Sequence, residues 1–371
     1  MALRRARELL VPGAPSKSFD DRRIWVHPVF WARYYGIYLE GLRRVFPERK
    51  LAVNGGPFTG WIGPRDAMAI IVGGRTPLRL YFEANDVASI NGRELRWCDA
   101  YGVVNLDPEG IADLPPRAAR KIVPLGPSFA IRLWSPPRAL LGASIDLPKA
   151  AREGLPRHSW RRYIGDRRGQ ARRPPLSAYA PVPTDPDYVF FASTWWPDSE
   201  SELNEARRHF IESCLGNRDI RFEGGFDERG GSHGLPSRLL LSRRLSSGEY
   251  LERTARSALV FNTPAVHGCH GWKLGEYLAL GKAIISLPLK RALPAPLRHG
   301  EHIHFVNEPG EIDGAVSDLM GDPAYRVHLG NGARRYWDEH LAPEMMIRKM
   351  LALAEGLVED RDPRTLQPPP R

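Results

Sequence analysis

An α/β fold in two domains is what this sequence predicts, and three observations lead there. Short apolar runs with strand character recur along both halves, separated by helical or irregular connections, which argues for parallel sheets covered on both faces. A basic, proline-rich stretch parts the halves. At 371 residues the chain is long enough for two domains of ordinary size.

In the first half, Arg23–His27 (RIWVH) reads as an opening strand, and HPVFWARYYGIYLEGLRRVF as a loop and an amphipathic helix. Strands are then expected at Leu51–Val53, Ala67–Val72 and Leu78–Phe82, within Trp97–Asn105, and at Lys121–Val123. Together they fill a first domain over 18–140. Arginine is densest between Arg152 and Arg173, and residues 141–186 read as a basic Pro/Arg-rich linker or insertion. Such a run suits a solvated surface, anionic lipid head groups or a diphosphate-linked acceptor. No nucleic-acid motif accompanies it, so nucleic acid is not an expected partner.

The second domain, 187–335, opens with Tyr188–Ser193 (YVFFAS), a continuous apolar run suited to a central parallel strand. SESELNEARRHFIESC reads as a helix capped by Ser199 or Ser201. Ile220–Phe222 is a second strand leading to a tight turn at Gly224 and Gly225, SSGEYLERTARSALVF a helix and strand, and His302–Val306 a last short strand. Pro343 is expected to break GARRYWDEHLAPEMMIRKMLALAEGL, because proline removes a helix hydrogen bond and clashes with the preceding turn. A helix over 336–357 follows, then a disordered tail over 358–371.

The stretch Leu259–Leu287, LVFNTPAVHGCHGWKLGEYLALGKAIISL, is the most informative part of the second domain. It reads as a buried strand, a loop rich in His and Gly, a helix and a second buried strand, half of a parallel crossover. The loop lies at the carboxyl end of its strand, where open α/β sheets bind ligands. Lys273 sits in the helix's first turn, the wrong charge for the positive end of a helix dipole. An anion there would relieve the conflict, since free amides and a lysine together suit a phosphate. Glu276, on the same face, is acceptor-only and suited to a sugar's hydroxyl groups. Gly281 ends the helix where a left-handed cap is wanted. The plainer alternative is an ordinary crossover helix with an exposed Lys–Glu pair.

This block resembles the donor-sugar region of the GT-B glycosyltransferases, which use nucleotide sugars. The shared pattern is Glu276, small apolar residues, Gly281 and an apolar strand. The resemblance implies two Rossmann-like domains facing each other across a cleft, the first for the acceptor and the second for the donor, with a kinked C-terminal helix crossing back to the first. It implies that Glu276 holds the donor ribose and that the preceding loop holds diphosphate and sugar. Many retaining members carry another Glu eight positions earlier, where this chain has Gly268. His270-Gly271-Trp272 is similar to the HCGW of inverting members, at a different spacing from Glu276. Retention or inversion is therefore left open.

The donor-binding residues expected are Lys273, Glu276, His270, Gly271, Trp272, Asn262, Thr263, Thr194 and Ser193, with Arg243 and Arg244 as outer candidates. Preorganised donors facing the leaving diphosphate would supply much of the catalysis. Trp195 and Trp196 would wall the site or pack in the core. An inverting enzyme needs a general base, for which Asp86 and His27 are the first candidates and Asp99 the third; His267 or His270 would stabilise charge. No metal-ligand spacing or paired-Asp motif occurs, so metal-independent transfer is expected, with no cofactor beyond a nucleotide-diphosphate sugar as co-substrate. The expected partner is a saccharide or lipid-linked acceptor. Alternatives are a nucleotide-sugar epimerase and a non-catalytic nucleotide-sugar-binding protein.

Bulk properties fit an enzyme of the cytoplasm, at most peripheral to a membrane. Hydrophobic content of 42% and charged content of 26% are ordinary globular values, and 53 basic against 43 acidic residues give +10. No apolar run approaches the ~20 residues that span a bilayer. The start, MALRRARELLV, has too short an apolar core for a secretory signal. It places Leu3, Ala6, Leu9 and Leu10 on one helical face, which suits either a membrane surface or a frayed terminus. Cys98, Cys214 and Cys269 are sparse and odd in number, favouring a reducing compartment, with Cys269 read as a passive loop thiol.

Overall fold

The computed structural model describes residues 23–58, 67–74, 76–86, 90–196, 201–227 and 234–359. The expected terminal amphipathic segment, Ser199 and nearly all of the expected tail lie outside them. The chain forms two compact units: one from Met1–Gly126, Leu133–Ala171 and Pro343–Arg371, the other from Pro127–Arg132 and Arg172–Ala342.

The first unit is built on a six-stranded sheet of β1 (Arg23–Val26), β2 (Lys50–Val53), β3 (Ala67–Val72), β4 (Leu78–Glu83), β5 (Ala100–Val103) and β6 (Ile122–Pro124), in the order β2-β1-β3-β4-β5-β6. Every residue of β3 is buried, which is why it reads as an unbroken apolar run. The sheet is not wholly parallel as expected. β3 runs antiparallel to both β1 and β4, while β1–β2, β4–β5 and β5–β6 are parallel. The reason is connection length: residues 73–77 are too few for a parallel crossover, so β3 and β4 close as a hairpin.

Helix α1 (Ala32–Val45) buries Tyr35, Ile37, Tyr38 and Leu42. Its N-cap, Trp31, offers no side-chain cap, and Asp166 supplies one from afar. The Asp166 Oδ2 accepts from the Ala32 amide at 2.5 Å and Oδ1 from the Arg33 amide at 3.3 Å, satisfying donors a helix start leaves open. Short helices α2 (Gly92–Trp97) and α3 (Pro116–Ala119) flank β5. Beyond them the first part of the expected 141–186 linker, up to Ala171, is instead helical, in α4 (Pro136–Arg152) and α5 (Trp160–Ala171), and belongs to this unit, whereas residues 172–186 belong to the second. Prolines at the start of α4 are no obstacle, because the first turn needs no amide donors. In α5 the Arg167 guanidinium is buried among Phe30, Tyr163 and Trp134 and pairs with Asp166.

The second unit starts at β7 (Tyr188–Thr194), which continues through α6 (Ser201–Gly216) to β8 (Arg221–Asp227). Next come α7 (Ser247–Arg256), β9 (Leu259–Asn262), α8 (Trp272–Ala279), β10 (Ala283–Ser286) and β11 (His304–Phe305). All pairings here are parallel, in ladders β7–β8 and β9–β10–β11. β7 adjoins β9, where the Ser257 hydroxyl accepts from the Phe190 amide and donates to the Leu259 carbonyl. Val189, Phe191, Phe210, Phe261, Ile285 and Leu329 meet in the core, and Phe210 stacks on Phe261 at 4.7 Å. Gly224 and Gly225 lie inside β8 rather than in a turn. A side chain at Gly224 would strike the Phe191 carbonyl, and both have φ near +140°, so the ladder can close only over glycine.

Helices α9 (Ile312–Gly321) and α10 (Pro323–Tyr336) follow, then a π-turn over Trp337–Leu341 and α11 (Pro343–Glu359). The break before Pro343 falls where expected. Helix α11 returns to the first unit and packs on α1, burying Met346, Ile347, Met350 and Ala354. Gly41 permits that approach: a Cβ there would lie 2.3 Å from the Pro343 carbonyl oxygen. No helix among the described residues is long and apolar enough to cross a membrane.

Candidate functional site

The parallel ladders of the second unit bring the carboxyl ends of β7 and β9 beside the amino end of α8. Ser193 and Thr194 end β7, Asn262 and Thr263 leave β9, and Gly271, Trp272 and Lys273 begin α8. That amino end has no side-chain cap and no acidic residue in its first turn. Its amides and dipole therefore favour an anion.

Lys273 is half-buried. Its Nζ donates to the Ala192 carbonyl at 2.6 Å and lies 4.5 Å from the centre of the Phe191 ring. Burial, and then the nearby Arg207 guanidinium, push its ammonium down to about 7, with Glu276 opposing. Glu276 is buried, accepts no hydrogen bond from a described residue, and is pushed up to about 7 by burial against the pull of Arg173 and Lys273. A buried carboxylate without donors is costly, so hydroxyl donors from a ligand would stabilise its charged form.

Sequence reasoning missed Arg207. It projects from α6, is buried, and donates to the Thr263 hydroxyl at 3.0 Å, the Thr194 carbonyl at 3.4 Å and the Pro264 carbonyl at 3.3 Å. It thus ties the ends of β7 and β9 together beside Lys273. Arg173 was seen only as part of a basic run. In the fold it lies 5.3 Å over the Trp272 ring and acts on Glu276. Two cations, Lys273 and Arg173, thus act on one carboxylate, and a third, Arg207, stands beside Lys273. Only the site's excess of positive charge over a helix start could have flagged them.

Asn262 is buried, its amide donating to the Ser286 hydroxyl at 2.9 Å. His270 is buried, with Nε2 3.4 Å from the Ala292 carbonyl, and burial pushes it down to about 4, so the ring is neutral. His267 is exposed, and its φ of 57° puts it in the left-handed region beside Gly268 at φ 70°. Trp195 packs on the core, edge-on to Phe226 at 5.0 Å, while Trp196 exchanges backbone hydrogen bonds with the Asn204 amide. Cys269 is buried, and Arg243 pairs with Glu249 at the surface.

The candidate bases differ in their surroundings. His27 is buried, its Nδ1 accepts from the Val29 amide at 3.3 Å, and burial pushes it down to about 4. Asp99 is 1% exposed and takes the Arg79 amide and guanidinium, a structural pairing. Asp86, after β4, is exposed.

No family model matches the chain, and no curated protein matches it. Among solved structures it is similar to a glycosyltransferase from Rickettsia africae ESF-5, at 10% identity and TM-score 0.44, over 75% of this chain and 71% of that one. It is also similar to sucrose-phosphate synthase from Thermosynechococcus elongatus, at 12% identity and TM-score 0.43, over 75% and 68%. Similarity to Anabaena HepE, solved in complex with UDP-glucose, stands at 14% identity and TM-score 0.36, over 76% and 99%.

Proposed function

We propose that this protein is a glycosyltransferase that moves a sugar from a nucleotide-diphosphate sugar to a hydroxyl acceptor. The single observation that carries the reading is the cluster at the start of α8, where Lys273, Arg207 and uncapped helix amides face the ends of β7 and β9 and the buried Glu276 lies one turn along. In this reading the cations and amides neutralise the leaving diphosphate, with Ser193, Thr194 and Thr263 adding hydroxyls. Glu276 takes the ribose hydroxyls, and Trp272 and His270 shape the wall. Asn262 acts from beneath, holding the loop. His267 is assigned to the sugar, and Asp86, exposed, is preferred to His27 as base because the His27 lone pair is already engaged.

The acceptor is assigned as a saccharide or lipid-linked hydroxyl, in surface polysaccharide, lipopolysaccharide or glycolipid synthesis. Three protein cations make a metal ion unnecessary for the diphosphate, so EDTA should leave turnover unchanged. The test is a thermal-shift panel of nucleotides and nucleotide sugars, followed by nucleotide release with Lys273→Ala and Glu276→Ala. Stabilisation by one nucleotide, and release lost in both variants, supports the reading. Unchanged turnover in both would reject the site.

Gly268 favours a second reading, a binding protein without transfer, because the position of the retaining enzymes' extra Glu holds a left-handed glycine. Donor binding with no product across an acceptor screen, and no new nucleotide sugar from donor alone, would select it over transfer and epimerisation.

A further inference from the structure

Helix α4 presents the wrong face to solvent. Its outward stripe is Pro137, Leu140, Leu141, Ser144, Ile145 and Pro148, spaced i, i+3, i+4, i+7, i+8 and i+11, and all six are exposed. Leu140, Leu141 and Ile145 are 45%, 62% and 52% exposed, while the other large exposed apolar residues among those described, Val182, Leu215 and Val327, lie scattered. The opposite face, with Ala139, Ala143 and Ala150, is the buried one. An ordinary surface helix reverses this arrangement, and a contiguous exposed apolar stripe marks a docking surface.

What the stripe would dock against follows from the charge around it. Leu133–Ala171, which contains α4 and its packed neighbour α5, holds eight basic residues against three acidic ones, half of the chain's net +10. Arg138 and Arg152 edge the stripe, and Arg157, Arg161, Arg162 and Arg168 are exposed on the adjoining turn and helix. The stripe carries no carboxylate. The one acidic residue of α4, Asp146, pairs with Lys149 at 3.2 Å. Apolar side chains flanked by arginine match a surface that is apolar beneath and anionic above. A protein partner would need matching carboxylates over the same area, whereas an anionic bilayer supplies both halves at once.

We infer that the α4 stripe and the arginines beside it seat the first unit on an anionic phospholipid surface, with Leu140, Leu141 and Ile145 entering the head-group region. This stands apart from the transfer reading, since it involves neither the start of α8 nor a donor. It also differs from the basic-run reading of the sequence, because the apolar contact comes from a helix where a linker was expected.

Co-sedimentation of the full chain with vesicles tests it, using phosphatidylcholine alone and phosphatidylcholine mixed with phosphatidylglycerol. The expected result is binding to the mixed vesicles only, weakened by salt, and a partition coefficient lowered about tenfold or more in Leu141→Ser/Ile145→Ser. Arg157→Glu/Arg161→Glu should remove the preference for anionic lipid. Both pairs are exposed, so an unchanged melting temperature shows that the fold survives. No binding to mixed vesicles overturns the inference. So does binding that survives the Ser pair and disappears on deleting 1–22, or a dimer in light scattering that the Ser pair turns into monomer, which would make the stripe a self-interface.

Discussion

The Lys273 ammonium is anchored to the carbonyl oxygen of Ala192 at 2.6 Å, across the gap between the start of α8 and the end of β7. One of its three donors is thus engaged, and the group is held near neutrality by burial and by Arg207. A diphosphate arriving there would favour the charged form and draw a proton onto the amine.

Donor affinity should therefore fall as pH rises through about 7, the position of the free ammonium. Glu276 titrates in the same range with the opposite sense, because hydroxyl donors favour its charged form. The clean measurement uses Glu276→Gln: nucleotide Kd weakens from pH 6 to 8.5, and Lys273→Ala on that background abolishes the slope. Calorimetry in buffers of different ionisation enthalpy should show proton uptake. Release instead would count against Lys273 as the phosphate ligand.

Glu276→Ala should lower donor affinity by about 1.5–3 kcal/mol, the range for hydrogen bonds to a charged group. The loss should shrink for a 2′-deoxy donor, which lacks one hydroxyl to donate. Equal losses for ribo and deoxyribo donors would remove Glu276 from the ribose.

Gly268→Glu should not restore a paired-carboxylate site. With φ at 70° the residue is left-handed, and a Cβ would come 3.1 Å from the Lys290 side chain. A non-glycine residue pays about 1–2 kcal/mol for that backbone alone. We expect a lower melting temperature and no gain in turnover. A variant as stable as the parent would show that the loop rearranges freely.

The buried rings of His27 and His270 should make the fold acid-sensitive. Both stay neutral in the fold down to about pH 4, whereas the unfolded chain takes up protons at 6.5. Stability is therefore full above pH 6.5 and declines as pH falls toward 4, by up to about 3 kcal/mol for each ring. Denaturant melts at pH 7 and 4.5 measure the slope, and His270→Gln should flatten it. An unaltered slope in that variant would assign the effect elsewhere.

The strands were legible because they are buried on both faces. Ala67–Val72 and Ala283–Ser286 read as apolar runs and form β3 and β10. Lys273 and Glu276 were legible because a crossover helix fixes their place at a strand end. Direction was harder: β3 is antiparallel because of a five-residue connection, a length the apolar pattern does not weigh. Proline density hid α4, although prolines in a first turn are compatible with a helix. Arg207 was invisible for another reason. It lies 56 residues from Thr263, and no local pattern signals a contact between α6 and the loop after β9.

The way the chain is threaded decides how it can be taken apart. Neither unit is a continuous piece of sequence: Pro127–Arg132 leaves the first to join the second, and Pro343–Glu359 goes back. In the second unit Phe129 lies against Tyr179 and Trp337, at 4.5 and 5.3 Å. A fragment cut at Arg172 and Ala342 would lose that aromatic wedge, and a chain stopped at Ala342 would strip α1 of the helix that covers it. Dissection by simple truncation would thus yield two damaged halves, so the candidate site at α8 has to be studied by point substitution in the full chain.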